Sequence, residues 1–95
     1  FYDDPAFVEE MMDADAEFLL QVMDRLLEQT DIDVFGSWED MAYKTGPLLG
    51  PDLARKYMLP RYRRVVEFLR DRGVEFIALD SDGNVWDLIP IWLDA

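Results

Sequence analysis

The sequence has neither cysteine nor histidine. The first absence excludes disulfides, thiol nucleophiles and thiolate-held zinc. The second removes the commonest general base at neutral pH, so any proton transfer would fall to carboxylates, Lys or Tyr. Basic residues are nearly missing from the first forty positions, which hold thirteen acids against Arg25 alone. The other fifty-five positions hold eight acids and eight bases, so the whole net charge of −12 resides in the N-terminal segment. Nucleic-acid binding needs a basic footprint, and this balance repels phosphate. Seven of the nine bases lie between Arg55 and Arg72, but Glu67 and Asp71 interrupt them, as on a solvated helix face. No apolar run reaches the length of a membrane span. A soluble, cytoplasmic protein with no membrane or nucleic-acid partner is expected.

What is present is a chain of 95 residues, 51% hydrophobic and with thirteen aromatics, enough for one small domain. It begins at Phe1 and stops within an apolar pattern at Trp92-Leu-Asp-Ala95, so residues 1–95 are expected to be one partial domain, an internal piece of a longer chain.

Asp4 followed by Pro5 is a helix start. Val8, Met12, Ala16, Leu19, Met23 and Leu26 recur at helical spacing, and Glu10, Asp13, Glu17, Asp24 and Glu28 recur on another face. One amphipathic helix is predicted over roughly Pro5 to Gln29, its acidic face solvated or turned to a basic partner. Ile32 to Phe35 reads as a short strand closed by Gly36. Pro51-Asp52 opens a second helix through Leu53, Tyr57, Met58, Tyr62, Val65, Val66 and Leu69 to Arg72, kinked or split at Pro60. Gly73 suits its C′ position. Val74 to Leu79 is almost continuously apolar, as in a strand buried on both faces, and Asn84 can cap a third helix from Val85. Helix, strand, helix, strand, helix implies an α/β fold with two parallel strands joined by a crossover.

Function in such folds lies beyond the C-terminal ends of the strands. Two loops of unusual chemistry occupy those places: Ser37-Trp-Glu-Asp-Met-Ala-Tyr-Lys44 and Asp80-Ser-Asp-Gly-Asn84. Asp80 and Asp82 are the candidate catalytic residues. Ser37, Trp38, Glu39, Asp40, Lys44 and Asn84 are the candidate substrate-binding residues. Several of these loop residues have a simpler role open to them, while Asp80 and Asp82 are favoured as functional. Trp38 can cap the core, Glu39 and Asp40 can pair with Lys44, Gly83 can allow a tight turn, and Asn84 can cap a helix. An EF-hand fails, because Gly83 stands fourth from Asp80 where the loop needs it sixth, and the twelfth residue is Ile91.

Two family resemblances follow from these motifs. Phe76-Ile-Ala-Leu-Asp-Ser-Asp-Gly83 is similar to the Asp-x-Asp-Gly strand end of haloacid-dehalogenase-type phosphatases. That likeness would make Asp80 a nucleophile and Asp82 an acid/base beside Mg²⁺. It covers eight residues. Nearly the whole chain resembles the uroporphyrinogen decarboxylase superfamily. The likeness rests on Phe35-Gly-Ser-Trp38, Gly50-Pro-Asp-Leu53 and Tyr57-Met-Leu-Pro-Arg-Tyr62 in order. Trp38 to Pro47, Leu79 to Asn84 and the opening Phe1 to Pro5 look closer still to an uncharacterised decarboxylase-like branch.

This second resemblance implies a slice of a (β/α)8 TIM barrel and a carboxy-lyase, or related group transfer, on a small carboxylate-bearing substrate. Ser37 would face that substrate, and the arginines that hold its carboxylates would lie outside these residues. The other arm of the superfamily transfers methyl groups from corrinoids, using a His-x-Cys-Gly-Asn zinc sequence. Asp80 and Asp82 replace its soft ligands, a donor set that suits Mg²⁺ or Mn²⁺ better. No metal or other cofactor is assigned. The parent protein would be the enzyme, whereas the 95-residue chain alone is expected to be inactive. The contrasting expectation is a non-catalytic piece that survives as a homo-oligomer by self-association.

Overall fold

The computed structural model describes residues 1–95. Helix α1, Pro5–Leu27, starts as the sequence predicts: the Asp4 carboxylate accepts a hydrogen bond from the Phe7 N–H at 3.0 Å. Pro5 occupies a first-turn position that needs no N–H. Strand β1, Val34–Trp38, begins later than Ile32 and is not closed by Gly36. Gly36 instead pairs in mid-strand with Ala78, so sheet formation overrides its local preference for a turn. Beyond it, strands β2, Ala42–Tyr43, and β3, Gly46–Pro47, form a small antiparallel hairpin.

Helix α2, Pro51–Leu53, runs into a π segment, Ala54–Met58, and on into α3, Leu59–Asp71. The rod is continuous, so the predicted split at Pro60 does not occur. The Leu59 N–H reaches back five residues to the Ala54 carbonyl. This wider turn just before the proline accommodates its missing donor. At the far end Gly73 takes φ +87°, the Val74 N–H donates to the Leu69 carbonyl at 3.0 Å, and the Gly73 N–H donates to Arg70 at 3.0 Å. That is a Schellman closure, and Leu69 and Val74 also meet in the core beside Met23.

Strand β4, Phe76–Asp80, then lies parallel to β1, with Val34 opposite Phe76 and Trp38 opposite Asp80. The fold is α/β with a two-stranded parallel sheet. The last helix, α4, spans Ile89–Leu93 and not the predicted start at Val85. The Asn84 side chain does accept the Trp86 N–H at 3.3 Å, but it caps only a turn, and the regular helix begins beside Pro90.

The sheet is covered on one face only. Phe35 and Ile77 pack into the Met23–Leu69–Val74 core beneath α1 and α3. On the opposite face Val34, Phe76 and Trp38 are 56, 58 and 84% exposed. The expected burial of β4 on both faces is therefore corrected. Helices α1 and α3 both lie on the same side, and no other element of these residues reaches the second face. A second core joins α4 to the start of the long helix through Leu49, Ala54, Met58, Leu59, Leu88 and Ile91.

The acidic face of α1 and the basic residues of α3 are not separate solvated stripes. Arg61 grips Asp13 with two hydrogen bonds of 2.7 and 2.8 Å, Arg64 pairs with Glu17, and Arg72 pairs with Asp24. The partners are 48, 47 and 48 residues apart, a nearly constant offset that requires the two helices to run in the same direction. Glu17 is held below its ordinary pKa by the Gln21 hydrogen bond first and Arg64 second. Such exposed pairs each stabilise little in water; their alignment fixes the register of one helix on the other. No helix is long and apolar enough to cross a membrane.

Candidate functional site

Because β1 and β4 are parallel, both chemistry-bearing loops leave the sheet at the same end. They are tied together there. The Glu39 N–H donates to the Asp80 carbonyl at 2.9 Å, carrying the ladder one step past the strands. The Met41 N–H donates to Ser81 Oγ at 3.1 Å, and the Asn84 N–H donates to the Tyr43 carbonyl at 2.8 Å. Asp40 adopts φ +36°, uncommon for a residue with a side chain, and its carboxylate accepts the Asp82 N–H at 3.4 Å. Gly83, at φ +85°, lies so close to the Ala42 and Tyr43 backbone that no Cβ would fit. The turn predicted for Gly83 is thus also the contact that lets the two loops meet.

The candidate residues fall into separate places. Trp38 and Asp80 are register partners at the C-terminal end of the uncovered sheet face. Asp82 is exposed in its loop, and Lys44 is exposed at the hairpin turn. Lys44 makes no ion pair with Glu39 or Asp40: the four salt bridges join Arg55 to Asp94, Arg61 to Asp13, Arg64 to Glu17 and Arg72 to Asp24. Asp40 and Asn84 tie backbone together within the loop assembly. No three Asp or Glu side chains converge as metal ligands would.

Ser37 and Glu39 belong together on the helix side. Ser37 Oγ donates to Glu39 Oε1 at 2.8 Å, and Tyr62 Oη donates to Oε2 at 2.5 Å, a short charge-assisted bond. In the sequence Tyr62 stands among the apolar positions of its helix and ends the Tyr57-Met-Leu-Pro-Arg-Tyr62 motif, with no role at the site assigned to it. The available signal was a phenol one turn beyond buried Met58, on the side of the helix that meets the core. Burial first, and then the Glu39 carboxylate, push the Tyr62 phenol well above its ordinary pKa. Beside the pair is a cavity of about 720 Å³ between the sheet and helices α1, α3 and α4.

A pH dependence follows from Tyr62. Its folded-state value is raised, so its contribution to stability is complete below the unfolded phenol value of about 10 and is lost as pH rises above it. Unfolding midpoints measured across alkaline pH should therefore fall more steeply for the native chain than for Tyr62→Phe. Parallel profiles would show that the Tyr62 proton is not held.

No protein-family model and no solved structure matches this chain.

Proposed function

We propose that these residues are one segment of a (β/α)8 barrel enzyme of the uroporphyrinogen decarboxylase type. Its reaction would be the decarboxylation of a small carboxylate-bearing molecule, or a related group transfer, in the cytoplasm. The observation that carries the reading is the register pair Trp38–Asp80 on a sheet face left open by every helix of the chain. In a closed barrel the helices lie outside, the opposite face points inward, and the active site forms at the strands' C-terminal ends. Val34 and Phe76 would then fill the barrel interior, while Trp38 and Asp80 would reach the substrate. Asp80, with Asp82 on the adjoining loop, would orient the substrate and stabilise charge as a carbon–carbon bond breaks. Lys44 is at the hairpin turn, so cations that receive a substrate carboxylate would come from other strands of the barrel.

The test is Asp80→Asn and Asp82→Asn in the intact enzyme, scored by release of carbon dioxide. If either carboxylate serves in proton transfer, kcat falls by about 100-fold or more. Unchanged turnover in both variants sinks the assignment.

The same open face favours a second reading, a non-catalytic chain that associates with copies of itself. Two parallel strands leave an unpaired edge on each side, and exposed Val34, Trp38 and Phe76 add apolar area beside those edges. Sedimentation of the 95-residue chain separates the two readings. Association that Trp38→Ser abolishes would support self-assembly, and a cooperative monomer would remove it.

A further inference from the structure

Between the sheet and its helices, the cavity beside Glu39 presents a carboxylate and apolar walls that the barrel reading does not use, although Trp38 and Asp80 of the open face border it at the strand ends. Of the 23 residues that line it 17 are hydrophobic, so its occupant must present mostly apolar surface. Phe35, Tyr62 and Trp92 supply aromatic walls. At about 720 Å³ it falls within the range of small-molecule sites. Its acids on the helix side are Asp15 and Glu39, and Arg61 is its one base; Asp80, exposed at the end of the open face, borders it only at the strand end. Arg61 is already committed, with two hydrogen bonds to Asp13 and a third to the Tyr57 carbonyl at 3.2 Å.

Glu39 differs from the other two acids. Both its oxygens are held in place, by Ser37 and Tyr62, yet both donors are neutral hydroxyls. No Lys or Arg nitrogen lies within ion-pair distance of it. A half-buried carboxylate is thus fixed beside an apolar cavity without a counter-charge, and burying such a charge is unfavourable until a cation joins it. A ligand carboxylate would meet Glu39 and Asp15 and no free base. An ammonium would complete the pair, and its apolar body could lie against the aromatic walls.

We propose that this cavity is a binding site for an organic cation, an amine with an aliphatic or aromatic body whose ammonium pairs with Glu39. The proposal goes beyond the barrel reading and stands independently of it. It concerns the helix side of the sheet and requires no reaction.

The experiment titrates the 95-residue chain with phenethylammonium and, separately, with phenylacetate, a probe of similar size and opposite charge. The readout is the indole N–H resonance of Trp92, assigned with Trp92→Phe. The expected result is a saturable shift with phenethylammonium and binding of phenylacetate weaker by about tenfold or more. Glu39→Gln should weaken the ammonium by a similar factor. Its amide oxygen still accepts from Ser37 or Tyr62, and a circular-dichroism spectrum checks that the variant is folded. Equal affinity for the two probes, no saturable shift, or a folded Glu39→Gln chain that binds unchanged would each overturn the proposal. The two-probe comparison on the unaltered chain decides the matter even if the variant does not fold.

Discussion

Gly83→Ala should lower the free energy of unfolding by about 3 kcal/mol or more, the steepest loss expected of any glycine in the chain. A Cβ at this position would stand 2.4 Å from the Ala42 carbonyl oxygen, 2.7 Å from its carbon and 2.8 Å from the Tyr43 oxygen. All three are backbone atoms, so no side chain can swing aside. Relief would require the two loops to separate, which breaks the 2.8 Å hydrogen bond from the Asn84 N–H to the Tyr43 carbonyl. The positive φ of +85° adds its own strain. Two other glycines calibrate the result. Gly73 shares the positive φ but has open space around it, so Gly73→Ala costs about 1 kcal/mol. Gly36 has open space and an ordinary strand conformation, so Gly36→Ala is neutral or stabilising by up to about 1 kcal/mol. Urea unfolding of the three variants at unchanged slope measures the series. A Gly83→Ala midpoint no lower than that of Gly73→Ala would mean that the loops do not interlock.

Leu69→Ala should cost about 2–5 kcal/mol, a large share of the roughly 5–15 kcal/mol that holds an ordinary domain together. Leu69 is 0% exposed and joins Met23 of α1 to Val74 at the entry to β4. Its side chain therefore fastens the helix layer to the sheet. Its carbonyl accepts the Val74 N–H that turns the chain from α3 towards β4. Truncation leaves a void where two helices and a strand meet, and a small core has little material with which to refill it. Leu93→Ala, at a side chain 81% exposed, should change stability by less than about 0.5 kcal/mol. Thermal unfolding of the pair tests the contrast. Similar midpoints would place the centre of the core elsewhere.

Features governed by local rules were legible in the sequence. Asp4 and Pro5 announce α1, Gly73 announces the end of α3, and the alternation of elements announces parallel strands with both loops at one end. What required distant partners was not. The apolar run Val74 to Leu79 indicates that β4 can be buried, but not how many layers cover it; here one face stays open. The charges of α1 and of α3 with its C-cap each resemble a solvated face until their nearly constant offset is known, and only then do Arg61, Arg64 and Arg72 find Asp13, Glu17 and Asp24. Pro60 marked a break, but the turn before it widened and the helix continued.

The candidate site divides along the same line. Side chains that share a loop could be named from sequence, but their direction could not. Ser37 and Glu39 turn together to the helix side, where Glu39 meets Tyr62, a residue 23 positions away on a different element. Trp38, between them in sequence, points to the other face, as strand alternation requires.

On the barrel reading proposed above, the open face bearing Trp38 and Asp80 would be the interior of a barrel. The most direct measurement is the reading frame on both sides of this segment in its source DNA. The expected result is one continuous frame of roughly 250 residues or more, with further strand–helix units before Phe1 and after Ala95. A start just before Phe1 and a stop immediately after Ala95 would contradict it, and the roles proposed for Asp80 and Asp82 would fall with it.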